Sequence, residues 1–260
     1  MAGRRLRSMT LHGNVASEER LAWIRQRLDG DGRVRITDAS QELQVSEMTI
    51  RRDLQELEAT GLARRVRGGA VAVGPVPLAD RRRSHARSKA KVAAKLVDMV
   101  PATGAIGIDA SSTLLRLAST LGARRDLTVL TNGPETFASL QRQAGINALL
   151  TGGSLEPRTG SLVGPLACRG ASQLLLDRLF VSAAGVTTEL GASEACLEEA
   201  EVKRTMAQAA ADVVLAVDAS KLGTRAMAVG VEWDEISLLV TDLDRKDPRL
   251  DPYRDLAEIL

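Results

Sequence analysis

With 260 residues, 44% of them hydrophobic and 2% aromatic, the chain fits two globular domains whose cores are built mainly from aliphatic side chains. Its net charge of +2 divides into +8 over residues 1–91 and −6 over residues 92–260, so the basic front is predicted to meet a polyanion. The sequence lacks a signal-peptide core, a membrane-length apolar run, a disulfide framework and metal-ligand spacing, so we expect a cytoplasmic protein without metal or other cofactor.

Residues 1–16 are interpreted as a flexible basic tail, and three short helices are predicted to follow it. The first helix begins at Ser17, the second follows Thr37, and the third is capped by Ser46 after a short break. Apolar side chains recur at helical spacing and mark the inward face of each helix. They are Leu21, Ile24, Leu28, Ala39, Leu43, Ile50, Leu54 and Leu57.

The free face of the third helix carries residue types that read DNA. A recognition helix places its N-terminal half in the major groove, where arginine bonds guanine through two parallel donors. Two adjacent arginines by themselves are more often a solvated face. Here the capped turn, the apolar spacing and the basic front agree, which favours DNA binding. The predicted contacts on this helix are Ser46, Glu47, Thr49, Arg51, Arg52 and Gln55.

The stretch "LARRVRGGAVAV", residues 62–73, alternates apolar and basic residues and predicts a hairpin that turns at Gly68 and Gly69. Such a wing would lay Arg64, Arg65 and Arg67 along the phosphate backbone, which adds affinity without sequence information, and Gly68 is a predicted DNA contact as well. Residues 17–73 are therefore predicted to form a winged helix-turn-helix domain that binds DNA.

The segment "VSEMTIRRDLQELEATGLARRVRGGA", residues 45–70, closely resembles the N-terminal domain of the DeoR family of bacterial transcriptional regulators. The family motif reads V-S-x-x-T-I-R-R-D-L and continues into a glycine-rich wing. The resemblance implies that double-stranded operator DNA is the partner of this domain. Arg67 departs from the family pattern, which usually has histidine before the glycine pair.

Residues 74–88 contain two prolines and a basic run, and we interpret them as a linker that enters a helix. Their arginines either touch DNA or are solvated, and the solvated interpretation is favoured because basic runs are common.

Beyond the linker, helical and strand patterns alternate over residues 89–260, which predicts a Rossmann-like α/β domain with a mostly parallel sheet and helices on both faces. Helices are predicted near residues 92–99, 114–121, 134–143, 166–176 and 197–210. Strands are predicted at residues 105–110, 127–131, 147–151, 178–184, 213–218 and 237–242.

Loops at the carboxyl ends of parallel strands are where such sheets bind ligands. "DASST", residues 109–113, follows a strand and opens a helix, so its N–H groups and hydroxyls would cradle a phosphate, although these residues serve equally well as ordinary helix caps. Gly152 and Gly153 would permit a close approach to a ligand, but a glycine pair more often marks a turn. Lys203 and Lys221, each an ordinary surface residue if alone, add positive charge near this edge. Together these features predict a site for an anionic small molecule.

These segments also resemble the DeoR C-terminal domain, which is similar in fold to ribose-phosphate isomerases and CoA transferases and senses phosphorylated sugars or related metabolites. The matches include the D-x-G-T/S-T loop, where this chain has Ser111 in place of the usual glycine. We also expect a homo-oligomer, since paired half-sites are the usual route to adequate specificity. The effector-binding residues expected from loops and motifs are Asp109, Ser111, Ser112, Thr113, Thr131, Asn132, Gly152, Gly153, Glu199, Lys203 and Lys221.

The favoured function is a DNA-binding regulator, most simply a repressor of carbohydrate-metabolism genes that responds to a phosphorylated sugar. The alternative is a sugar-phosphate isomerase with an appended DNA-binding domain. Such isomerases carry clustered carboxylates in the loop that matches "DRLFVSAAG", where this chain has Asp177 alone, so catalysis is not expected. A purely architectural DNA protein fits poorly with an acidic, strand-rich second domain.

Overall fold

A computed structural model describes residues 17–31, 33–59, 63–72 and 75–260. The predicted basic tail, residues 1–16, lies outside the described residues. The chain divides into two compact units, one ending at residue 73 and the other beginning at residue 74. Each unit has a hydrophobic core of its own.

The first unit contains the three predicted helices, and all eight predicted inward residues are buried in its core. The last helix is fixed to the first by Asp53, whose two carboxylate oxygens accept hydrogen bonds from Arg20 at 2.8 and 3.0 Å. The elements of this unit are α1 (Ser17–Asp31), β1 (Arg33–Arg35), α2 (Ile36–Leu43), α3 (Glu47–Ala59), β2 (Ala63–Val66) and β3 (Gly69–Ala72).

The predicted hairpin is formed by β2 and β3, but its turn lies one residue earlier than expected. Val66 pairs with Gly69, so the turn residues are Arg67 and Gly68, and Gly68 adopts a φ of 84°. Gly69 serves a different purpose, because a Cβ atom there would lie 2.0 Å from the carbonyl oxygen of Val34. The second glycine therefore allows β1, a strand the sequence did not predict, to pair with β3.

The second unit alternates helices and strands as predicted. Three short 3-10 helices occur in addition, at Ala219–Lys221, Trp233–Glu235 and Pro248–Tyr253. The remaining elements are α4 (Leu78–Arg83), α5 (Ala86–Val97), β4 (Gly104–Ile108), α6 (Ser112–Thr120), β5 (Leu127–Thr131), α7 (Pro134–Leu140), β6 (Ile146–Leu150), β7 (Ser154–Leu155), β8 (Leu162–Val163), α8 (Pro165–Ala171), β9 (Arg178–Val181), β10 (Gly185–Thr187), β11 (Gly191–Glu194), α9 (Leu197–Gln208), β12 (Val213–Ala216), β13 (Ala228–Val229), β14 (Leu238–Val240) and β15 (Glu258–Ile259).

A seven-stranded, all-parallel sheet forms the centre of this unit, in the order β15-β14-β12-β9-β4-β5-β6. Successive side chains of a strand point to opposite faces. On β9, Phe180 packs with α5, α6 and α7, whereas Leu179 and Val181 pack with α8 and α9. The fold is therefore the predicted α/β arrangement, with helices on both faces of a parallel sheet.

The structure differs from the predictions at the linker and in the smaller strands. Within residues 74–88, α4 is a helix whose Leu78 is buried and whose first N–H group bonds the carbonyl of Arg158 at 2.9 Å, so this stretch is not an open connector. The hairpin of β7 and β8 and the antiparallel sheet of β10, β11 and β13 were not predicted. Several predicted helices end earlier than expected, since α5 ends before Met99 and α7 before Gln143. None of the helices in the described part of the chain is long and apolar enough to span a membrane.

Candidate functional site

The start of α3 presents the predicted DNA-contacting face to solvent. Ser46 caps the helix, because its hydroxyl accepts the N–H of Thr49 at 3.1 Å and also lies 2.9 Å from the Thr49 hydroxyl. Thr49 is half-buried, and the other five predicted contacts on this helix are exposed. The cap therefore fixes the helix start whose free face carries the arginines.

Arg51 and Arg52 differ in whether they form an ion pair. Arg51 bonds Glu47 across one helical turn at 3.2 Å, in an exposed pair of the kind that contributes little. Arg52 makes no ion pair with any residue that the structure describes. Met48 lies beside them with 59% of its surface exposed, and sequence reasoning missed it. An exposed apolar side chain at this place suits the methyl group of thymine.

The wing is held to α3 by a contact that the sequence did not reveal. Glu58 accepts the backbone N–H of Arg65 at 2.9 Å and the Nε–H of the same residue at 2.5 Å. These bonds lower the pKa of the Glu58 carboxyl, the backbone bond contributing most. Arg64 and Arg67 are exposed on the same hairpin. Arg65 thus has a structural role that Arg64 and Arg67 do not share.

The second unit has a cavity of about 230 Å³ at the carboxyl ends of the sheet strands. The start of α6, the end of β11 and one face of α9 form much of its wall. The segment from Pro75 to Lys89 closes another side. Of the eleven predicted effector-binding residues, six line the cavity, namely Ser111, Ser112, Thr113, Glu199, Lys203 and Lys221.

The other five predicted residues do not line the cavity and shape the loops behind it. Asn132 is fully buried, accepts the N–H of Ala110 at 3.0 Å and donates to the carbonyl of Leu162 at 3.3 Å. The Thr131 hydroxyl accepts the N–H of Gly133. Gly152 and Gly153 have φ of 75° and 114°, in the left-handed region that favours glycine. Asp109, the last of these five residues, is completely buried.

The start of α6 combines a helix cap with a free anion-binding position. The Ser111 hydroxyl accepts the N–H of Leu114 at 3.2 Å, and the Ser111 N–H bonds Asp109 at 2.8 Å. The N–H groups of Ser112 and Thr113 have no acceptor among the described residues, as is usual in the first turn of a helix. Orphan N–H groups at a helix start attract anions. Ser111 caps the helix with a φ of −74°, so its loop does not need the glycine that the family usually has.

Lys203 is not the free cation that the sequence predicted. Its ammonium group bonds the carbonyl of Ser182 at 2.9 Å, Glu194 at 2.6 Å and Asp109 at 3.0 Å. Burial works to lower the pKa of Lys203, but Asp109, Glu194 and Glu199 outweigh it and raise that pKa. Burial also raises the pKa of Glu194 to about 7, against the pull of Lys203. Lys203 therefore neutralises buried carboxylates, donating to Glu194 and forming an ion pair with Asp109.

Two basic residues that line the cavity were missed by sequence reasoning, Arg81 and Lys89. Lys89 is 4% exposed and donates to the carbonyls of Arg81 at 2.6 Å and Ser84 at 3.0 Å. Burial lowers the pKa of Lys89 to about 8. A signal was present in the sequence, because Lys89 lies three and seven residues before the buried Val92 and Leu96 and so occupies the inward face of α5.

The charged residues that line the cavity form two groups. Lys89, Arg81 and Lys221 are the basic group, and Glu194 and Glu199 lie with Lys203 in the other. The basic groups and free N–H groups suit an anion, and carboxylates accept hydrogen bonds from hydroxyl groups. In the described part of the chain no cluster of His, Cys, Asp or Glu has the arrangement of a metal site.

A wider hollow of about 570 Å³ lies on the outer side of Ser112, between α4 and α6. Its arginines are already engaged, since Arg82 bonds Glu135 at 2.9 Å and Arg83 bonds Asp80. It is more open than the cavity at the strand ends. The smaller cavity is the better candidate for a specific ligand, because it encloses buried polar groups.

Comparisons with known proteins agree with the two-unit architecture. Residues 20–75 match the family model described as "DeoR-like helix-turn-helix domain", and residues 84–243 match "DeoR C terminal sensor domain". The chain is 33% identical to the HTH-type transcriptional regulator GolR of Listeria innocua, with 83% of this chain and 86% of that protein covered. It is 31% identical to the transcriptional repressor AccR of Agrobacterium fabrum, with 87% and 90% covered. A solved ribose 5-phosphate isomerase A from Neisseria gonorrhoeae is 21% identical, with a TM-score of 0.35 over 51% of this chain and 52% of that one.

Proposed function

The chain belongs to the DeoR family of transcriptional regulators, and from this premise we propose that it represses carbohydrate-metabolism genes and that a phosphorylated sugar modulates its operator binding. It would act in the cytoplasm on double-stranded operator DNA. Ser46, Thr49, Arg51 and Arg52 would read the operator from the start of α3. The wing arginines would contact the phosphate backbone.

The observation that carries the effector proposal is the lining of the cavity, which combines basic residues and free N–H groups with carboxylates. A phosphorylated sugar has a dianionic group at one end and hydroxyl groups along the rest of the molecule. Lys89, Lys221 and the start of α6 would take the phosphate, and Glu194 and Glu199 would accept the hydroxyl hydrogen bonds. The 230 Å³ volume is of the right order for one small metabolite.

The isomerase alternative is not favoured. The relatives are named as transcriptional regulators and repressors, which are not enzymes. Asp177, the single carboxylate in the loop where such isomerases carry a cluster, lies just before β9 begins and accepts the N–H of Ala105 at 2.9 Å. That position is at the opposite edge of the sheet from the cavity, which lies where the strands end.

The proposed regulation also requires that more than one copy of the chain assemble. Helix-turn-helix proteins commonly bind two half-sites as dimers, and we propose a homo-oligomer for the same reason. A ligand changes operator affinity only if it binds one arrangement of the paired DNA-binding units more tightly than the other.

A thermal-shift screen of the full chain tests the effector proposal, because a ligand that binds only the folded state raises the apparent melting temperature. Glycerol 3-phosphate, ribose 5-phosphate, fructose 6-phosphate and glucose 6-phosphate would be compared with their unphosphorylated parents. We expect at least one phosphorylated compound to stabilise the protein without being converted, and to change operator affinity in a gel-shift assay. The effector proposal would be contradicted if the unphosphorylated parents stabilised the protein equally, or if no compound stabilised it. DNA binding would then be judged by the gel shift alone.

A further inference from the structure

We propose that Lys89 is the cation that binds the anionic group of the effector and transmits its presence to the segment Pro75–Ser84, an inference that rests on the proposed function. Lys89 is not among the effector-binding residues expected from the sequence. The inference comes from how this lysine is buried and what it contacts.

Lys89 differs from the other buried lysine of the cavity in its partners. Lys203 lies within 3.0 Å of two carboxylates. Lys89 is as deeply buried but bonds only backbone carbonyls, and no carboxylate lies within ion-pair distance of it among the described residues. Its charged surroundings include Lys221, Arg81 and Arg116, with Asp218 as the opposing charge. A buried cation without an anionic partner is costly, so this position is favourable for a bound anion.

The ammonium group also has a donor available. It carries three N–H groups, and two of them bond the carbonyls of Arg81 and Ser84. Because Lys89 lines the cavity, its third N–H group is available to a ligand that binds there. The lowered pKa, about 8, is what burial without an anion produces, and a bound anion would raise it again.

The two carbonyls place Lys89 in contact with the chain that leads into this unit. Both belong to the end of α4, and the carbonyl of Arg81 also accepts the hydroxyl of Ser112 at 3.3 Å. Pro75 and Val76, the first residues described after the division between the units, line the same cavity. The Lys89 ammonium and the Ser112 hydroxyl both donate to the Arg81 carbonyl. An anion bound by Lys89 and the start of α6 would therefore act on both donors, and through the Arg81 carbonyl on the segment Pro75–Ser84.

Two variants of the full-length protein test this. Lys89→Met removes the ammonium group and keeps an unbranched apolar side chain, and Lys91→Met is the matched control, because Lys91 is exposed on the same helix and does not line the cavity. Titration calorimetry would use inorganic phosphate and the phosphorylated sugar that gives the largest thermal shift. We expect K89M to lose about 10-fold or more in affinity, as for a charge-assisted hydrogen bond, and to need a correspondingly higher concentration to change operator affinity. K91M should match the wild-type protein in both measurements.

The outcomes separate the two proposals. If K89M binds the sugar phosphate with wild-type affinity and responds at the same concentration, the Lys89 inference is wrong while the proposed function stands. If no phosphorylated compound binds the wild-type protein, the effector part of the proposed function fails and this inference fails with it.

A measurement on the wild-type protein covers the case in which K89M does not fold. In protein labelled with 15N-lysine, the Nζ signal of Lys89, assigned from a K89R spectrum, reports its titration directly. We expect saturating sugar phosphate to raise the Lys89 pKa above its starting value of about 8. An unchanged Lys89 titration in the bound protein would overturn the inference.

Discussion

The ammonium group of Lys203 lies 3.0 Å from a carboxylate oxygen of Asp109, and the two side chains are 4% and 0% exposed. They join α9 to the loop after β4, and the N–H of Ser182 bonds the same oxygen of Asp109 at 2.9 Å. Two residues expected to touch a ligand thus form an internal link between α9 and two loops of the sheet edge. Their loss should affect the stability of the fold before it affects ligand affinity.

Lys203→Met should therefore destabilise the second unit strongly. The substitution leaves the buried carboxylates of Asp109 and Glu194 without their cation, and breaking a buried pair in this way costs about 3–5 kcal/mol. Urea denaturation at pH 7 would measure the change, with Lys91→Met as a surface control expected to stay within about 0.5 kcal/mol of wild type. A K203M midpoint equal to that of K91M would show that the buried pair contributes no net stability.

Glu194 should make stability depend on pH in a definite direction. Its pKa is raised from 4.5 to about 7 in the folded protein, so between these values the folded state binds more protons than the unfolded state. The free energy of unfolding then falls as pH rises through this range, by up to about 3 kcal/mol at about 1.4 kcal/mol per pKa unit.

The variant Glu194→Gln removes this titration. Chemical denaturation of both proteins at pH 4.5 and 7.5 is the measurement, and the variant should gain on wild type at the higher pH. Parallel stability profiles for the two proteins would mean that Glu194 keeps an ordinary pKa in the folded state.

Arg52 and Arg64 should have separable roles on DNA. Arg52 is unengaged on the exposed face of α3, so Arg52→Ala is expected to weaken operator binding by about 1–3 kcal/mol and to affect random DNA less. Arg64→Ala should weaken both DNAs alike, because a wing arginine contacts phosphates. Arg64 is a better test than Arg65, whose bonds to Glu58 hold the hairpin to α3. Fluorescence anisotropy on operator and scrambled duplexes measures the affinity of each variant. If each variant lost the same affinity on the operator as on the scrambled duplex, this division of roles would be contradicted.

Gly69→Ala should disrupt the small sheet of the first unit. The new Cβ atom would lie 2.0 Å from the carbonyl oxygen of Val34, which is backbone and has little room to move. We expect a cost at or above the upper end of the usual range of about 1–3 kcal/mol for overpacking. Amide hydrogen exchange in β1 and β3 should become faster, and DNA binding should weaken with it.

Gly230→Ala is the control for this substitution, since the nearest atom to a Cβ there, the carbonyl oxygen of Ala192, is 3.4 Å away. It should leave exchange in β1 and β3 at the wild-type rate. Unchanged exchange in G69A would show that the approach of β1 to β3 is looser in solution than the distance implies.

The sequence by itself determined the elements whose burial repeats along the chain. The strand at residues 127–131 was predicted with its observed bounds, and the eight apolar residues of the first three helices are all buried. A repeating apolar pattern records which face of an element meets the core, and this information is local. Strands of two or three residues, such as β1 and β15, are too short to show a repeat, and only their pairing partners define them.

For the site, the sequence located the sheet edge and several of its loops, because the carboxyl ends of parallel strands always meet there. It did not decide what each charged residue does. Lys203 is neutralised by Glu194 and by Asp109, which is 94 residues away, whereas Lys89 has no carboxylate within reach among the described residues. The role of a buried charge depends on partners that are distant in sequence and on the water removed from around it, and those are properties of the tertiary structure alone.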